Sequence, residues 1–399
     1  MRILIITPSA GGHHFEYKAL LDKAFCELGH EVMHFSPNID KSKSTESSNQ
    51  LKSKKPKSIS KIRSLCFFLC SEIWKNREKS LSNWNALFTH VKNLKQDSIF
   101  PDLLFFEYID SSIGSYVANW EIEKKMTIPF SGILFQPQDT RLLNKSSLRL
   151  GPIDPYHNLK SKWCRKIGVL MEDAIPFMSE IIKKPVIEIP DIVSIATTLQ
   201  DNSFGEHIQT LACERFVIGI WGSLEHRKGV TDFLQLSLKL PEDRYFFVMG
   251  GRIEYNGWTE NDKIILQQST ANERKNLLIT DQYLSNDQLI SGMQSCDLIF
   301  AAYTKWRFTS GIVGKAAAVK VPILVNDGFV MAKRVTNFEI GFVKNEDKDI
   351  VEWLNENIQT IKNFKKSPVF IDGCLKYCER YGYEQWRKSL AQLIDNIES

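Results

Sequence analysis

The sequence predicts an α/β protein made of two successive domains, each with a parallel β-sheet that carries helices on both faces. The chain has 399 residues, more than a single hydrophobic core usually organises. Short apolar segments alternate with helical segments over residues 3–189, and the alternation starts again at residue 216. The apolar segments, such as residues 3–6, are continuous, which is typical of strands buried on both faces.

The first domain is predicted to open with a strand, a turn, a helix and a second strand. The strand at residues 3–6 leads into a turn that contains Gly11 and Gly12. Residues 13–28 carry apolar side chains at helical spacing, and Gly29 ends that helix. Further strands are predicted at residues 31–35, 103–106, 131–135, 168–171 and 186–189.

Residues 38–100 form a predicted insertion in this domain. Residues 39–63 carry eight Lys or Arg against Asp40 and Glu46, a net charge of +6, so the rest of the chain sums to −2. This confinement of the charge argues against a nucleic-acid surface. A long helix is predicted over residues 62–93. It is either a core-packed helix beside a solvated loop or, through residues 39–75, a peripheral contact with anionic lipid.

The stretch from Pro190 to about Leu211 shows no regular pattern, and we place the domain boundary at residues 190–212. The predicted domains are 1–190 and 191–380, and the tail 381–399 contains a helix for which packing back on the first domain is one arrangement. In the second domain, strands are predicted at residues 216–221, 244–249, 277–280, 298–301 and 323–325, and helices at 229–240, 262–270, 287–294 and 310–319.

The eight cysteines are scattered and form no paired CxxC motif, so we expect no zinc site and a reducing compartment. We expect no secretory signal, because the apolar run at residues 3–6 is short and is followed by Pro8, and no window holds the run of roughly 20 apolar residues that a membrane span needs. We therefore expect a cytoplasmic protein, either free or peripheral at the inner face of the membrane.

Two segments of the second domain have the residue types that bind phosphate. Arg227 and Lys228 follow a predicted strand directly, where two cations can meet a diphosphate. Ser310 is expected to be the N-cap of the helix predicted at residues 310–319, and Gly311 lets a ligand approach the backbone there. Lys315 adds positive charge one turn later. The alternatives are a solvated turn for the first segment and a capped core helix for the second.

These segments belong to a series that resembles the nucleotide-binding domain of retaining, group 1 glycosyltransferases of the GT-B type. The similar pieces, in order, are residues 222–229, 248–251, 281–284, 287–290, 296–299, the 310–319 turn and helix, 316–324 and Gly341. The glycine loop near Gly11 and residues 29–32 also match, whereas the 38–100 insertion does not. The resemblance implies two Rossmann-like domains with a ligand site in the cleft between them.

The resemblance also implies roles for the matching positions. The donor would be a nucleotide-diphosphate sugar and the acceptor a hydroxyl group, with no metal and no other cofactor. Lys228 would neutralise the diphosphate, and backbone groups near Ser310, Gly311 and Ile312 would hold its oxygens. Tyr283 would lie near the base, although a core position is the alternative for this residue. Gly11 and Gly12 would approach the donor phosphate or the acceptor.

Two departures from the family pattern alter donor recognition. Arg307 and Lys315 stand where the family has two glutamates, and a lysine cannot accept the hydrogen bonds that a ribose hydroxyl donates. Ser223 stands where the family has an arginine, for which Arg227 could compensate. Either the donor is recognised differently, or the protein binds without turnover.

The first domain is expected to supply the acceptor site and the base. His13 follows the glycine loop and can take a proton from an acceptor hydroxyl. Glu107 or Asp110, after the strand at residues 103–106, could orient it as in inverting GT-B enzymes; His14 and Glu16 are alternative bases.

The leading hypothesis is glycosyl transfer from a nucleotide-diphosphate sugar. Retaining relatives often have a histidine after a later strand, where this chain has Gln136. The sequence leaves the stereochemistry of the reaction open. A degenerate GT-B module that binds without catalysis and a sugar-nucleotide epimerase are the alternatives.

Overall fold

The computed structural model describes residues 1–7, 13–37, 61–97, 99–112, 117–137, 156–193, 199–255, 257–271, 275–345 and 347–395. Within these ranges, the side chains of residues 13–16, 61–76, 111–112 and 271 are not described. The chain divides into two compact units. The first comprises Met1–Ile189 with Arg387–Ser399, and the second comprises Pro190–Trp386.

The first unit is built on a parallel sheet. Its strands are β1 (Arg2–Ile6), β2 (Glu31–Phe35), β3 (Leu103–Phe106), β4 (Phe130–Leu134), β5 (Cys164–Val169) and β6 (Val186–Glu188). They are ordered β2-β1-β3-β4-β5-β6, and every neighbouring pair is parallel. All four residues of β3 are buried, as expected for a strand covered on both faces.

The helices of this unit are α1 (His13–Glu27), α2 (Lys61–Gln96), α3 (Ile109–Ser112), α4 (Asn119–Glu123) and α5 (Ile175–Ile182). The part of α2 around Trp84, Leu87 and Val91 is buried in the core of the first unit. This part of the helix is therefore core-packed. The predicted membrane contact, residues 39–75, falls on residues whose structure or side chains lie outside the description.

The helix at the end of the chain, α14 (Tyr383–Ile394), belongs largely to the first unit. Leu390 and Leu393 are fully buried. The Lys166 Nζ atom, on β5, donates to the backbone carbonyls of Gln392 and Asp395, both at 2.8 Å. The helix is thus held against β5 by apolar burial and by a lysine at its C-terminal end, where the helix dipole favours a cation.

The second unit contains a six-stranded parallel sheet and a small two-stranded one. The strands are β7 (Phe216–Trp221), β8 (Leu224–Glu225), β9 (Tyr245–Gly250), β10 (Ile253–Glu254), β11 (Leu277–Thr280), β12 (Leu298–Ala301), β13 (Ile323–Asn326) and β14 (Gly341–Lys344). The large sheet is ordered β11-β9-β7-β12-β13-β14, and β10 pairs with β8. Val217 and Trp221 of β7 pack into one hydrophobic core, while Ile218 and Ile220 pack into another, because alternate residues point to opposite faces.

The helices of the second unit are α6 (Ser203–Ala212), α7 (Val230–Lys239), α8 (Glu260–Ala271), α9 (Asn286–Gln294), α10 (Gly311–Val319), α11 (Val330–Phe338), α12 (Ile350–Phe364) and α13 (Pro368–Arg380). None of the helices described in either unit is both long and apolar enough to cross a bilayer. The predicted fold class, two α/β domains with parallel sheets, is confirmed.

The structure corrects the prediction at three places. The stretch described as irregular contains α6, whose apolar stripe is narrow because it consists of Phe204, Ile208 and Ala212. Strand β5 begins at Cys164 rather than at residue 168, since Arg165 and Lys166 interrupt its apolar run. Helices α11 to α13 and strand β14 were not predicted.

Candidate functional site

The order of the large sheet in the second unit identifies where a ligand would bind. The chain proceeds from β7 outward through β9 to β11, then returns to the other side of β7 with β12. The loops after β7 and β12 therefore diverge above neighbouring strands, and parallel α/β sheets bind ligands outside the carboxyl ends at such a point. The phosphate-binding candidates of the second unit follow these two strands or lie beside them.

Two glycines, Gly222 after β7 and Gly251 after β9, let the backbones of the two following loops approach each other closely. The Gly222 N–H donates to the Gly250 carbonyl at 2.9 Å. Gly251 has φ of +132°, and a Cβ at this residue would lie 2.0 Å from the Gly222 oxygen. Only glycine fits where the two backbones approach so closely in a left-handed conformation. The loop after β7 then forms a single helical turn over His226–Lys228 and ends at Gly229, which has φ of +76°.

The ammonium group of Lys228 lies 5.8 Å from the centre of the Tyr303 ring, which follows β12. Lys228 is half-buried, and it makes no ion pair with any residue in the described ranges. A cation without a carboxylate partner at the carboxyl end of a parallel sheet is available to bind an anionic ligand.

Arg227 differs from Lys228 in this respect. Its guanidinium donates to both carboxylate oxygens of Glu225, at 2.7 and 3.2 Å. It also lies 4.0 Å from the centre of the Trp306 ring, within the range of a cation–π contact. The role predicted for Arg227 in donor binding stays a prediction, and its charge is paired within the protein.

His226 is the first residue of the same turn. Its Nδ1 atom lies 3.1 Å from the carboxylate of Asp262 on α8. That carboxylate also accepts hydrogen bonds from Thr231 and Thr259. Burial raises the pKa of Asp262, but these hydrogen bonds outweigh it and the pKa is lowered. An ionised Asp262 therefore anchors Thr231 in the first turn of α7, which begins directly after the turn that carries Lys228.

Helix α10 begins at the end of the loop that follows β12. Ser310 occupies the N-cap position, as predicted, but its side chain makes no capping hydrogen bond. The N–H groups of the first turn at Gly311 and Ile312 have no partner inside the helix, as at every helix start. A Cβ built on Gly311 would meet no atom of the described chain within 4 Å. The helix start therefore leaves open space beside backbone donors.

Two further donor-site candidates, Arg307 and Lys315, belong to the loop after β12 and to α10, and a third, Tyr283, follows β11. Arg307 is exposed, and its guanidinium lies 5.7 Å from the Phe329 ring. Lys315 is half-buried in α10, one turn after Gly311. Tyr283 is 73% exposed, which excludes the core alternative. It follows Asp281, whose carboxylate accepts the Ile253 N–H at 2.8 Å.

Glu107 lies at the corresponding point of the first unit. The sheet order places β1 between β2 and β3, so the loops after β1 and β3 diverge in the same way. Glu107 directly follows β3, is 1% exposed, and donates its N–H to the Ile6 carbonyl at 3.2 Å. A buried carboxylate at this position fits the predicted catalytic location.

Asp110, the alternative to Glu107, supports the backbone. Its carboxylate accepts the N–H groups of Phe135 and Gln136, at 2.8 and 2.9 Å. Burial raises the pKa of Asp110, although these bonds oppose the rise. The carboxylate oxygens of Asp110 already anchor the loop after β4, so Glu107 is the better candidate for the carboxylate that orients the base.

Several predicted residues fall outside the description. Gly11 and Gly12 are not among the described residues. His13 is the first residue of α1, but its side chain, like those of His14 and Glu16, is not described. The proposed pairing of His13 with Glu107 therefore stays a prediction.

Sequence reasoning missed Glu225, Tyr303 and Trp306. The available signals were a carboxylate two residues before Arg227 and two aromatic residues in the segment between β12 and α10. Among the described residues, no three His, Cys, Asp or Glu side chains are grouped as a metal site requires.

Comparison with known proteins identifies the fold. No family model matches the sequence, and no curated protein matches it. Sucrose-phosphate synthase from Thermosynechococcus elongatus aligns with a TM-score of 0.67 and 12% identity, over 98% of each chain. WaaG, a glycosyltransferase involved in lipopolysaccharide biosynthesis, aligns at 0.63 and 12%, over 99% of this chain and 100% of its own. HepE from Anabaena, in complex with UDP and glucose, aligns at 0.60 and 12%, over 98% of each chain.

At these identities the likeness establishes the fold. Both units match over nearly their full length, and each has the six-stranded parallel sheet of a Rossmann-like domain. The chain has the GT-B fold.

Proposed function

We propose that this protein is a glycosyltransferase that moves a sugar from a nucleotide-diphosphate sugar to a hydroxyl acceptor without a metal ion. The observation that carries the proposal is the arrangement in the second unit. Lys228, which has no ion-pair partner among the described residues, contacts the loop that leads into α10, and that helix begins with open space at Gly311. HepE, with the same fold, was solved with UDP and glucose.

The two features suit the departure of a diphosphate. The ammonium of Lys228 supplies a full positive charge, and the start of α10 supplies backbone N–H donors at the positive end of a helix dipole. Preorganised donors of this kind stabilise the charge that develops on the leaving group. A cation and a helix start can together take the place of a metal ion.

Arg307 and Lys315 suit phosphate better than ribose in this proposal. Both side chains only donate hydrogen bonds, whereas the glutamates of the resembling family accept them. We therefore propose that these two residues add positive charge around the diphosphate, and that the nucleoside is recognised by other groups, including the exposed Tyr283. The protein would then favour donors by their phosphates more than by their ribose hydroxyls.

The first unit would activate the acceptor. We propose His13 as the base and the buried Glu107 as the carboxylate that orients it. A histidine held by a carboxylate can take the proton of an acceptor hydroxyl near neutral pH.

The test is turnover of purified protein with a panel of nucleotide sugars, with and without hydroxyl acceptors. Release of nucleoside diphosphate that depends on one donor, and that is lost in Lys228→Ala but kept in Lys239→Ala, supports the proposal. Lys239 is a matched control because it is exposed at the far end of α7. Binding without turnover would indicate a binding module, and a sugar altered in the absence of acceptor would indicate an epimerase.

A further inference from the structure

The guanidinium of Arg227 is already neutralised within its own loop. Two hydrogen bonds, at 2.7 and 3.2 Å, join it to the Glu225 carboxylate in a fork. Both side chains are about one-third exposed, at 35% for Arg227 and 32% for Glu225. The fork uses Nε and Nη2, so a diphosphate that approached the remaining Nη1 donors would meet the negative charge of this carboxylate.

The same guanidinium attaches its loop to the loop that precedes α10. It lies over the Trp306 ring at 4.0 Å from the centroid. The Arg227 carbonyl also accepts the Thr304 N–H at 2.9 Å. Arg227 is therefore joined to the second loop by its backbone and by its side chain.

Trp306 links the loop that contains Arg227 to the start of α10. Its indole Nε1 donates to the Thr309 carbonyl at 3.1 Å, immediately before the N-cap residue Ser310. Its ring also meets Phe308 edge-on at 5.2 Å. The position of the indole is thus coupled to the backbone that presents the first N–H groups of α10.

We infer that Arg227 is a positioning residue, which acts through Trp306 to set the place of Lys228 relative to the start of α10 and does not itself bind the diphosphate. The inference rests on the proposed function of this site. Lys228 is the next residue after Arg227, so any shift of the Arg227 backbone moves the cation. Lysine could not replace Arg227, because an ammonium has neither the planar face that stacks on an indole nor the fork that fits a carboxylate.

The experiment measures the affinity for nucleoside diphosphates by calorimetry. Uridine, guanosine, adenosine and cytidine diphosphates are titrated into the wild type, and the tightest is used with the variants Arg227→Lys, Arg227→Ala, Trp306→Leu, Trp306→Phe and Lys228→Ala. Two double variants combine Lys228→Ala with Arg227→Ala and with Trp306→Leu. Thermal melting of each variant checks that it is folded. Arg227 and Trp306 are both only partly buried, so these variants should fold.

If Arg227 positions Lys228, Arg227→Lys should weaken binding about fivefold, as Arg227→Ala does, although it keeps the charge. Trp306→Leu should weaken binding by a similar factor without removing any charge, and Trp306→Phe should recover part of the loss. In the Trp306→Leu background, Lys228→Ala should cost less than in the wild type, because the cation is already displaced.

Three results would overturn the inference. They are near wild-type affinity in Arg227→Lys, unchanged affinity in Trp306→Leu, and effects of Arg227→Ala and Lys228→Ala that simply add, as for two direct ligands. If Lys228→Ala weakens binding while Arg227→Lys and Trp306→Leu do not, only the inference fails. If the wild type binds none of the four diphosphates, the proposed function fails and the inference fails with it.

Discussion

Lys228 and Tyr303 are in contact across the two loops that follow β7 and β12, with the ammonium 5.8 Å from the ring centre. The contact places the cation beside the segment that leads into α10, and no ion-pair partner neutralises it within the described residues. An aromatic face attracts a cation without competing for its hydrogen bonds to an anion.

Lys228→Ala should weaken the binding of a nucleoside diphosphate by at least about 1.5 kcal/mol, or roughly tenfold, because a charge-assisted hydrogen bond is lost. Isothermal titration calorimetry measures the change, with Lys239→Ala as the control for removal of a lysine from the same region of sequence. Affinity within about twofold of the wild type would mean that the phosphate site has been assigned to the wrong residues.

Gly311→Ala should separate folding from binding. The new methyl group would meet no atom of the described chain, and alanine is favoured over glycine in helices by up to about 1 kcal/mol. The free energy of unfolding should therefore stay constant or rise. The affinity for the diphosphate should fall, since the methyl group would occupy the space through which phosphate approaches the backbone. An unchanged affinity would place the ligand elsewhere.

Glu107→Gln should lower the rate of sugar transfer by about 100-fold, the lower range for general acid–base catalysis, while diphosphate affinity stays the same. The amide preserves the size of this buried side chain but removes its charge. Glu31→Gln is a suitable control, because Glu31 is exposed at the start of β2. Rates and affinities are measured separately; equal rates in Glu107→Gln and the control would exclude the proposed role of Glu107 in orienting the base.

Gly292→Ala should destabilise the second unit through Trp221. A Cβ at Gly292 would lie 2.4 Å from the indole Cη2, and Trp221 is 1% exposed. Overpacking of this kind costs about 1–3 kcal/mol of unfolding free energy, measured by urea denaturation. Gly219 and Gly250 make room for the same indole, with a Cβ at 2.4 and 2.3 Å respectively.

The control for this prediction is the double variant Gly292→Ala with Trp221→Phe. Phenylalanine lacks the outer ring of the indole, so the clash should be relieved and the two losses should not add. Simple additivity would show that the steric conflict between these two residues is not the cause.

His34 should make the first unit less stable in mild acid. Partial burial lowers the pKa of His34, whose side chain is 33% exposed; the nearby Lys18 lowers it further, and Asp22, at 3.0 Å, opposes the shift. The unfolded chain therefore binds more protons than the native state between the lowered pKa and the ordinary value near 6.5. The stability contributed by neutral His34 is present above that ordinary value and is lost as the pH falls through this window.

The measurement compares wild type with His34→Gln by urea denaturation from about pH 7.5 down to about pH 5.5. The stability of the wild type should decrease more steeply over this range than that of the variant. Parallel curves for the two proteins would contradict the prediction.

Much of the fold could be predicted from local patterns. The continuous apolar run of β3 and the helical spacing in α1 identified these elements, because burial on both faces and a 3.6-residue period are visible over a few residues. The apolar stripe of α6 is too narrow to be recognised among its polar neighbours in the sequence. Its role is visible only in the structure, where Ile208 packs into the core. Burial of that stripe depends on distant residues.

The candidate site, like the fold, has some features that the sequence reveals and others that only the tertiary structure reveals. The sequence by itself determined the two alternations of strand and helix, the cation pair at Arg227 and Lys228, and the glycine at the start of α10. Only the tertiary structure decided that Arg227 is paired with Glu225 and stacked on Trp306, and that Asp110 is committed to the backbone after β4. The physical reason is that strands and helices follow from short-range periodicity, whereas the partner of a side chain depends on which distant segments the sheet order brings together.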